Sequence, residues 1–305
     1  VSATIGSLCT GYGGLELALG PGYRHAWHTE TDDAATRLLK LHHPDVPNHG
    51  DIRAVDWSAV EPVDILCAGV PCQAVSAAGK RRGADDARWL WPAALTAIQA
   101  LRPRVVLFEN VLRLTQGDMR PLFDGILTNL HDAGYAVRWS VVGACVIGAC
   151  HHRHRIFLLA TRTPLPVAPR HVLTRTCGSS GRLLPTPVAR DGDGRGEGLP
   201  DYWKARNVER TSGVPLAVAA SLHWEDHVPA VERWATVFGV PVPVPTEPNA
   251  NGNPRLRAEL PEWMMGLRAG YLTDHVARLD ALRIAGNGVM PQQAAHAFAI
   301  LAGAT

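Results

Sequence analysis

Over the first 160 residues, short and nearly continuous apolar runs alternate with longer stretches whose apolar positions recur every three or four residues. The runs Thr4–Leu8, His25–Thr29, Asp64–Ala68, Val105–Phe108, Ala136–Val142 and Arg155–Ala160 have the length of strands. The stretches between them predict helices at Leu15–Leu19, Asp32–His42, Trp89–Leu101 and Pro121–Ala133. In the second of these Ala35, Leu38, Leu39 and His42 share one side, and Gly134 is placed to end the fourth. Alternation of this kind predicts a mostly parallel sheet covered on both faces, an α/β fold.

Past Pro164 the pattern changes. Pro, Gly, Ser and Thr crowd residues 163–187, the run from Asp191 to Gly198 is a polar turn region, and periodicity stays weak to about Pro254. Trp203, Trp224, Trp234 and Phe238 supply too much apolar material for a disordered linker, so residues 165–259 predict a smaller, loop-rich lobe. Regular pattern resumes at Leu260–Leu267, continues through Asp280–Ala285, and after Gly286-Asn287-Gly288-Val289 ends in an amphipathic run from Gln292 to Leu301.

A chain of 305 residues can bury a full core, and one large α/β domain with a smaller partner suits that length. No run approaches the roughly 18 apolar residues of a membrane span, and no basic start with an apolar h-region is visible, so a cytoplasmic protein is expected. Six irregularly spaced cysteines make no disulfide framework. Cys9, Cys67 and Cys145 read as reduced core thiols, and no pair has zinc-finger spacing, so no metal is expected. Net charge is only +2, but between Cys150 and Arg190 there are seven arginines and no acid. Such a stretch suits a phosphate-facing surface, while the bias of 27 Arg to 3 Lys offers a compositional explanation as well.

In an open parallel sheet, ligands bind outside the carboxyl ends of the strands. Three features fall there. Gly11, Gly13 and Gly14 form a turn after the first strand, where missing side chains open backbone N–H groups to a ligand. Their spacing departs from the nicotinamide dinucleotide pattern G-x-G-x-x-G. Glu30 ends the second strand at the distance expected of a ribose-binding carboxylate, or serves simply as an acid at a helix N-terminus. Asp51, in a further turn, is a carboxylate that would accept from an adenine amino group. Finally, Pro71-Cys72-Gln73 and Glu109-Asn110-Val111 each follow an apolar run, so a thiol and a carboxyl hang from strand ends. A cysteine at a turn near N–H groups and arginines gains thiolate character, unlike the buried Cys67. With Glu109, Cys72 makes a nucleophile and proton donor pair. The many histidines leave a Cys-His-Asn hydrolytic arrangement open.

In order and spacing these residues resemble the DNA (cytosine-5) methyltransferase family. The resemblance runs through Leu8-Cys9-Thr10-Gly11-Tyr12-Gly13-Gly14, Pro71-Cys72-Gln73, Glu109-Asn110-Val111, Arg153-His154-Arg155 and Gly286-Asn287-Gly288-Val289. It implies a Rossmann-like S-adenosylmethionine-dependent sheet in residues 1–164, a target recognition domain in 165–259, and a segment 260–305 returning to the catalytic domain. The family implies S-adenosylmethionine as donor, S-adenosylhomocysteine as product and no metal. Cys9, Thr10, Gly11, Tyr12, Gly14, Glu30, Asp51, Ile52, Pro71, Leu90, Asn287 and Val289 would hold that cofactor. Cys72 would add to carbon 6 of a flipped-out cytosine, and Glu109, held by its surroundings in a protonated or proton-sharing state that burial would suit, would hydrogen-bond ring nitrogen 3 and the exocyclic amine. Arg155 would steady the base carbonyl, and Arg153 the site or nearby phosphates. Gln73, Ser76, Lys80, Arg81 and Arg82 would approach DNA in the nucleophile loop, and Arg182 and Arg190 in the middle lobe. One departure stands out: His151 takes the place of the usual glutamine two residues before the first arginine, with Cys150 beside it.

The expected partner is duplex DNA, bound by a monomer, with a cognate restriction endonuclease acting separately. A transfer RNA cytosine-5 methyltransferase and a catalytically silent DNA-binding relative are the alternatives. The middle lobe favours DNA, because duplex readout needs a module that fills the major groove.

Overall fold

The structure, a computed structural model, describes residues 2–71, 89–163, 171–173, 182–192 and 216–303. Its strands are β1 (Thr4–Leu8), β2 (Arg24–Thr29), β3 (Ile65–Ala68), β4 (Val105–Val111), β5 (Ala136–Val142), β6 (Arg155–Thr161), β7 (His171–Leu173), β8 (Thr246–Pro248) and β9 (Pro254–Leu256). Its helices are α1 (Gly14–Leu19), α2 (Asp33–His42), α3 (Trp91–Leu101), α4 (Arg120–Asp132), α5 (Leu216–Leu222), α6 (Trp224–Phe238), α7 (Glu259–Met264), α8 (Arg278–Asn287) and α9 (Pro291–Ala302). The chain divides into two compact units: residues 1–142, 154–174 and 291–305 form one, and residues 143–153 with 175–290 the other.

The first unit is built on a seven-stranded sheet of order β2-β1-β3-β4-β6-β5-β7. As the alternating pattern predicts, it is mainly parallel; β6 runs antiparallel to both β4 and β5. No helix lies between β5 and β6, only a 3-10 turn at Ala144–Ile147, so nothing there makes a parallel crossover. On one face Leu8, Leu66, Val106, Phe108, Ile156 and Leu158 pack with Trp91 and Ile98 of α3 and Phe123, Ile126 and Leu130 of α4. On the other, Phe157 meets Phe298 of α9 edge to face at 5.7 Å. There the Arg138 guanidinium donates to the Leu301 carbonyl and the Gln293 amide to the Val142 carbonyl, each at 2.8 Å. Local chemistry sets the helix starts: the Asp32 carboxylate accepts from the Ala35 N–H at 3.0 Å to cap α2, and α3 and α4 each carry a proline in the first turn.

The second unit holds α5 to α8 and the two-stranded β8–β9 hairpin. Trp234 stacks on Phe238 at 5.2 Å and its indole N–H donates to the Trp263 carbonyl, while the Trp263 indole donates to Val240. A buried acid organises the segment after α7. The Glu262 carboxylate, 1% exposed, accepts from the N–H groups of Gly270, Leu272 and Thr273 and from the Thr273 hydroxyl. No described helix is long and apolar enough to cross a membrane.

Candidate active site

Four neighbouring strands of the first unit end along one edge, and backbone hydrogen bonds carry their alignment past the last strand residue. The Thr10 N–H donates to the Thr29 carbonyl at 3.1 Å, tying the end of β1 to β2, and the Gly69 N–H donates to the Leu8 carbonyl at 3.2 Å, tying β3 to β1. Between β3 and β4 the register runs Ala68 to Phe108. Beyond it, the Asn110 side-chain amide donates to the Val70 carbonyl at 3.0 Å. That bond fixes the backbone one residue ahead of Pro71-Cys72 against the residue after Glu109.

At the first of these ends the chain turns through Cys9 (φ 52), Gly11 (φ 59) and Gly13 (φ 86) into α1. A left-handed cysteine costs on the order of 1–3 kcal/mol, and the Cys9 N–H, donating to the Thr29 hydroxyl at 3.1 Å, helps hold it there. A side chain built at Gly11 would meet nothing within 4 Å, so its backbone faces open space. The Gly11 N–H donates to Glu30 Oε2 at 2.7 Å, and the N–H groups of Thr31 and Asp32 to Glu30 Oε1, each at 2.8 Å. A carboxylate offers about four acceptor sites, so this one is oriented by the turn and keeps capacity for a ligand hydroxyl. Asp51 is engaged by Arg53, whose guanidinium and N–H both donate to it and hold its carboxyl below the usual range. Burial, and then the charges of Glu30 and Asp51, push the Cys9 thiol up to about 12. Tyr12 and Ile52 are buried, and Thr10 donates to the Ser7 hydroxyl at 2.9 Å, so these three shape the turn from within. An open glycine turn with an oriented carboxylate at its mouth fits a nucleoside-bearing cofactor.

Pro71 directly precedes residues 72–88 and Leu90 follows them after Trp89; Leu90 packs against the core and its carbonyl accepts from the Ala94 N–H. Cys72, Gln73, Ser76, Lys80, Arg81 and Arg82 lie outside the described residues. None of the described cysteines competes for the role expected of Cys72. Burial keeps Cys67 well above its ordinary value and pushes Cys150 to about 12. Cys145, expected to be a reduced thiol, is disulfide-bonded. On β4, Glu109 is 8% exposed, and Arg155 Nε lies 3.1 Å from its Oε1. The pair is diagonal across the antiparallel ladder, where Val111 faces Arg155. Arg155 therefore holds the carboxyl in one orientation across the ladder.

In the second unit Arg153, 1% exposed, is surrounded by main-chain carbonyls, donating to Pro187, Gly286 and Gly288. Asn287 is exposed at the end of α8 and Val289 is buried. His151, in the place where a glutamine was expected, is fully buried with its Nε2 at 2.9 Å from the Met264 carbonyl. Arg182 pairs with Asp226 at 2.8 Å; Arg190 lies in a 3-10 turn at Ala189–Gly192. Among the described residues no cluster of three or more His, Cys, Asp or Glu is arranged to hold a metal ion. Asn110 and Glu262 carry structural duties that sequence reasoning missed; the one available signal was that Asn110 directly follows the singled-out Glu109.

The profile of the C-5 cytosine-specific DNA methylase family matches residues 3–185 of the chain. Type II methyltransferase M.NgoMIV of Neisseria gonorrhoeae is 31% identical over 157 residues, 51% of this chain and 50% of that protein. Type II methyltransferase M.NaeI of Lentzea aerocolonigenes is 32% identical over 201 residues, 63% of this chain and 48% of that protein. The chain thus spans about half the length of these relatives. Among solved structures, S. pombe Dnmt2 methyltransferase matches with a TM-score of 0.61 at 15% identity, covering 99% of each chain, a likeness of fold. With well over half its residues inside the family profile, the chain belongs to the C-5 cytosine-specific DNA methylases.

Proposed function

We propose that this chain methylates carbon 5 of a cytosine turned out of duplex DNA, with Cys72 as the nucleophile. The observation that carries the reading is the single sheet edge at which the glycine turn with Glu30 hydrogen-bonded to it, the tethered Val70 carbonyl and the Glu109–Arg155 pair end together. Glu30 would take the ribose hydroxyls, the backbone at Cys9, Thr10, Gly11 and Gly14 would border the cofactor, and Pro71, Leu90, Asn287 and Val289 would complete its surroundings. Tyr12 and Ile52 act by shape, and Asp51 engages an adenine amino group in exchange for part of its contact with Arg53. When bound, S-adenosylmethionine supplies an electrophilic methyl group.

The Cys72 thiolate forms a bond to carbon 6, and the ring electrons displaced make carbon 5 nucleophilic. Glu109 offers a proton to ring nitrogen 3, where charge develops, while Arg155 holds the carboxyl and meets the base carbonyl. After methylation a base takes the proton from carbon 5 and the carbon–sulfur bond breaks, returning the thiolate. Gln73, Ser76, Lys80, Arg81 and Arg82 approach the DNA beside the nucleophile, and Arg182 and Arg190 act from the middle lobe, residues 165–259, as target recognition. A cytoplasmic monomer, serving beside a separate restriction endonuclease, completes the reading.

Methyl incorporation into duplex DNA and transfer RNA, measured side by side and followed by bisulfite sequencing, tests it. Incorporation is expected in duplex DNA, and Cys72→Ser is expected to lower it by roughly three orders of magnitude or more. Activity retained by Cys72→Ser, or confined to transfer RNA, overturns the proposal.

A further inference from the structure

We infer that Arg153 is a positioning residue that sets the Gly286–Val289 segment, rather than a group that meets base or phosphate. Four donor contacts of its guanidinium end on main-chain oxygen. Nη1 donates to Pro187 at 3.3 Å and to Gly286 at 3.4 Å, and Nη2 to Gly286 at 3.4 Å and to Gly288. Its own N–H donates to the Thr186 hydroxyl at 3.1 Å. The backbone at Arg153 is left-handed, φ 33, a conformation that a non-glycine residue keeps only where its surroundings enforce it.

The acceptors explain what is being held. Gly286 and Gly288 bracket the C-terminus of α8, where carbonyls lack helical donors and the helix dipole is negative. A buried guanidinium supplies both the missing donors and the compensating charge. Gly286 also lies hard against the segment that Arg153 bridges to it: a Cβ there would stand 2.2 Å from the Val188 carbonyl carbon and 2.3 Å from the Ala189 nitrogen. Arg153 therefore clamps Thr186 and Pro187 to the helix end, and Asn287 stands, exposed, between two pinned carbonyls.

The inference rests on the reading of Asn287 and Val289 as cofactor-facing, and it gives Arg153 an effect on cofactor affinity instead of on the chemical step. Arg153→Lys keeps the charge and loses the fork. Titration calorimetry with S-adenosylhomocysteine is expected to show about tenfold weaker binding, with kcat at saturating cofactor and the KM for DNA within about twofold of wild type. Thr186→Val, which removes only the acceptor for the Arg153 N–H, is expected to weaken binding by a smaller factor with the same split. Unchanged cofactor affinity with loss confined to kcat or to the DNA KM overturns the inference and leaves the methyltransferase reading standing. Wild-type protein that binds no S-adenosylhomocysteine sinks that reading itself. Thermal melting checks that each variant folds, and Thr186→Val decides if Arg153→Lys does not.

Discussion

Asn110 joins two neighbouring strand ends through one amide, donating to Val70 while its oxygen accepts from the Val111 N–H at 2.9 Å. Asn110→Ala leaves the buried Val70 carbonyl without that donor, a loss of about 1–3 kcal/mol. The expected outcome is a kcat lowered about tenfold with unchanged S-adenosylhomocysteine affinity, measured by steady-state kinetics and calorimetry; weakened cofactor binding with normal kcat would contradict it. Glu109, Glu30 and the glycine turn were legible in the sequence because a carboxyl or a run of glycines after an apolar strand announces itself locally. The duties of Asn110 and Arg153 were not. Their acceptors lie 40 and 133 residues away, and nothing in a linear pattern pairs a side chain with a distant carbonyl. Glu262 was hidden for the same kind of reason, since its partners are the N–H groups of a loop with no periodicity of its own.

At the scale of elements, β1 and β2 show how one missing side chain permits a strand pair. A Cβ at Gly6 would lie 2.2 Å from Cζ2 of the buried Trp27, beside the register shift between Ile5 and Gly6. Gly6→Ala is therefore expected to destabilise by about 1–3 kcal/mol, read as a lower urea midpoint; an unchanged midpoint would mean that the indole moves aside freely. Strands β1 and β5 fall where the sequence predicts, and β2, β3, β4 and β6 differ only at their ends; β1, β3, β4 and β6, buried on both faces, leave a nearly continuous apolar signature, while β5 alternates. Helices α5 and α6 were not predicted. Pro229 sits inside α6 and breaks the pattern a sequence reader trusts, although the helix continues through it. The three-residue strands β8 and β9 are too short to show any alternation.

For the molecule as a whole, acid sensitivity follows from the histidines clustered on β2 and just after α2. The His25 ring lies 5.4 Å from His28 and 5.0 Å from His43. Burial first, then the charges of neighbouring histidines, lowers His25 and His28 to about 4 and also lowers His43. A histidine held below its unfolded value of 6.5 contributes stability that is complete above that pH and disappears as pH falls towards about 4. Asp51, Asp56 and Asp64, held below their ordinary range, lose their contribution only at lower pH, and the raised carboxyls of Glu16 and Glu262 act in the opposite sense. The melting temperature is expected to fall between pH 7 and pH 5, and to fall less in His25→Phe; an equal fall in both would remove the cluster as its source.

The helix Pro291–Ala302 has a consequence for how the sheet is completed. It covers the sheet face that presents Phe157 and Arg138, and its hydrogen bonds to that face join residues 163 and 151 positions apart. Contacts of such separation close a long loop before they gain anything, so they form late. Until they do, that face stays open, a guanidinium on it lacking the carbonyl it will later meet.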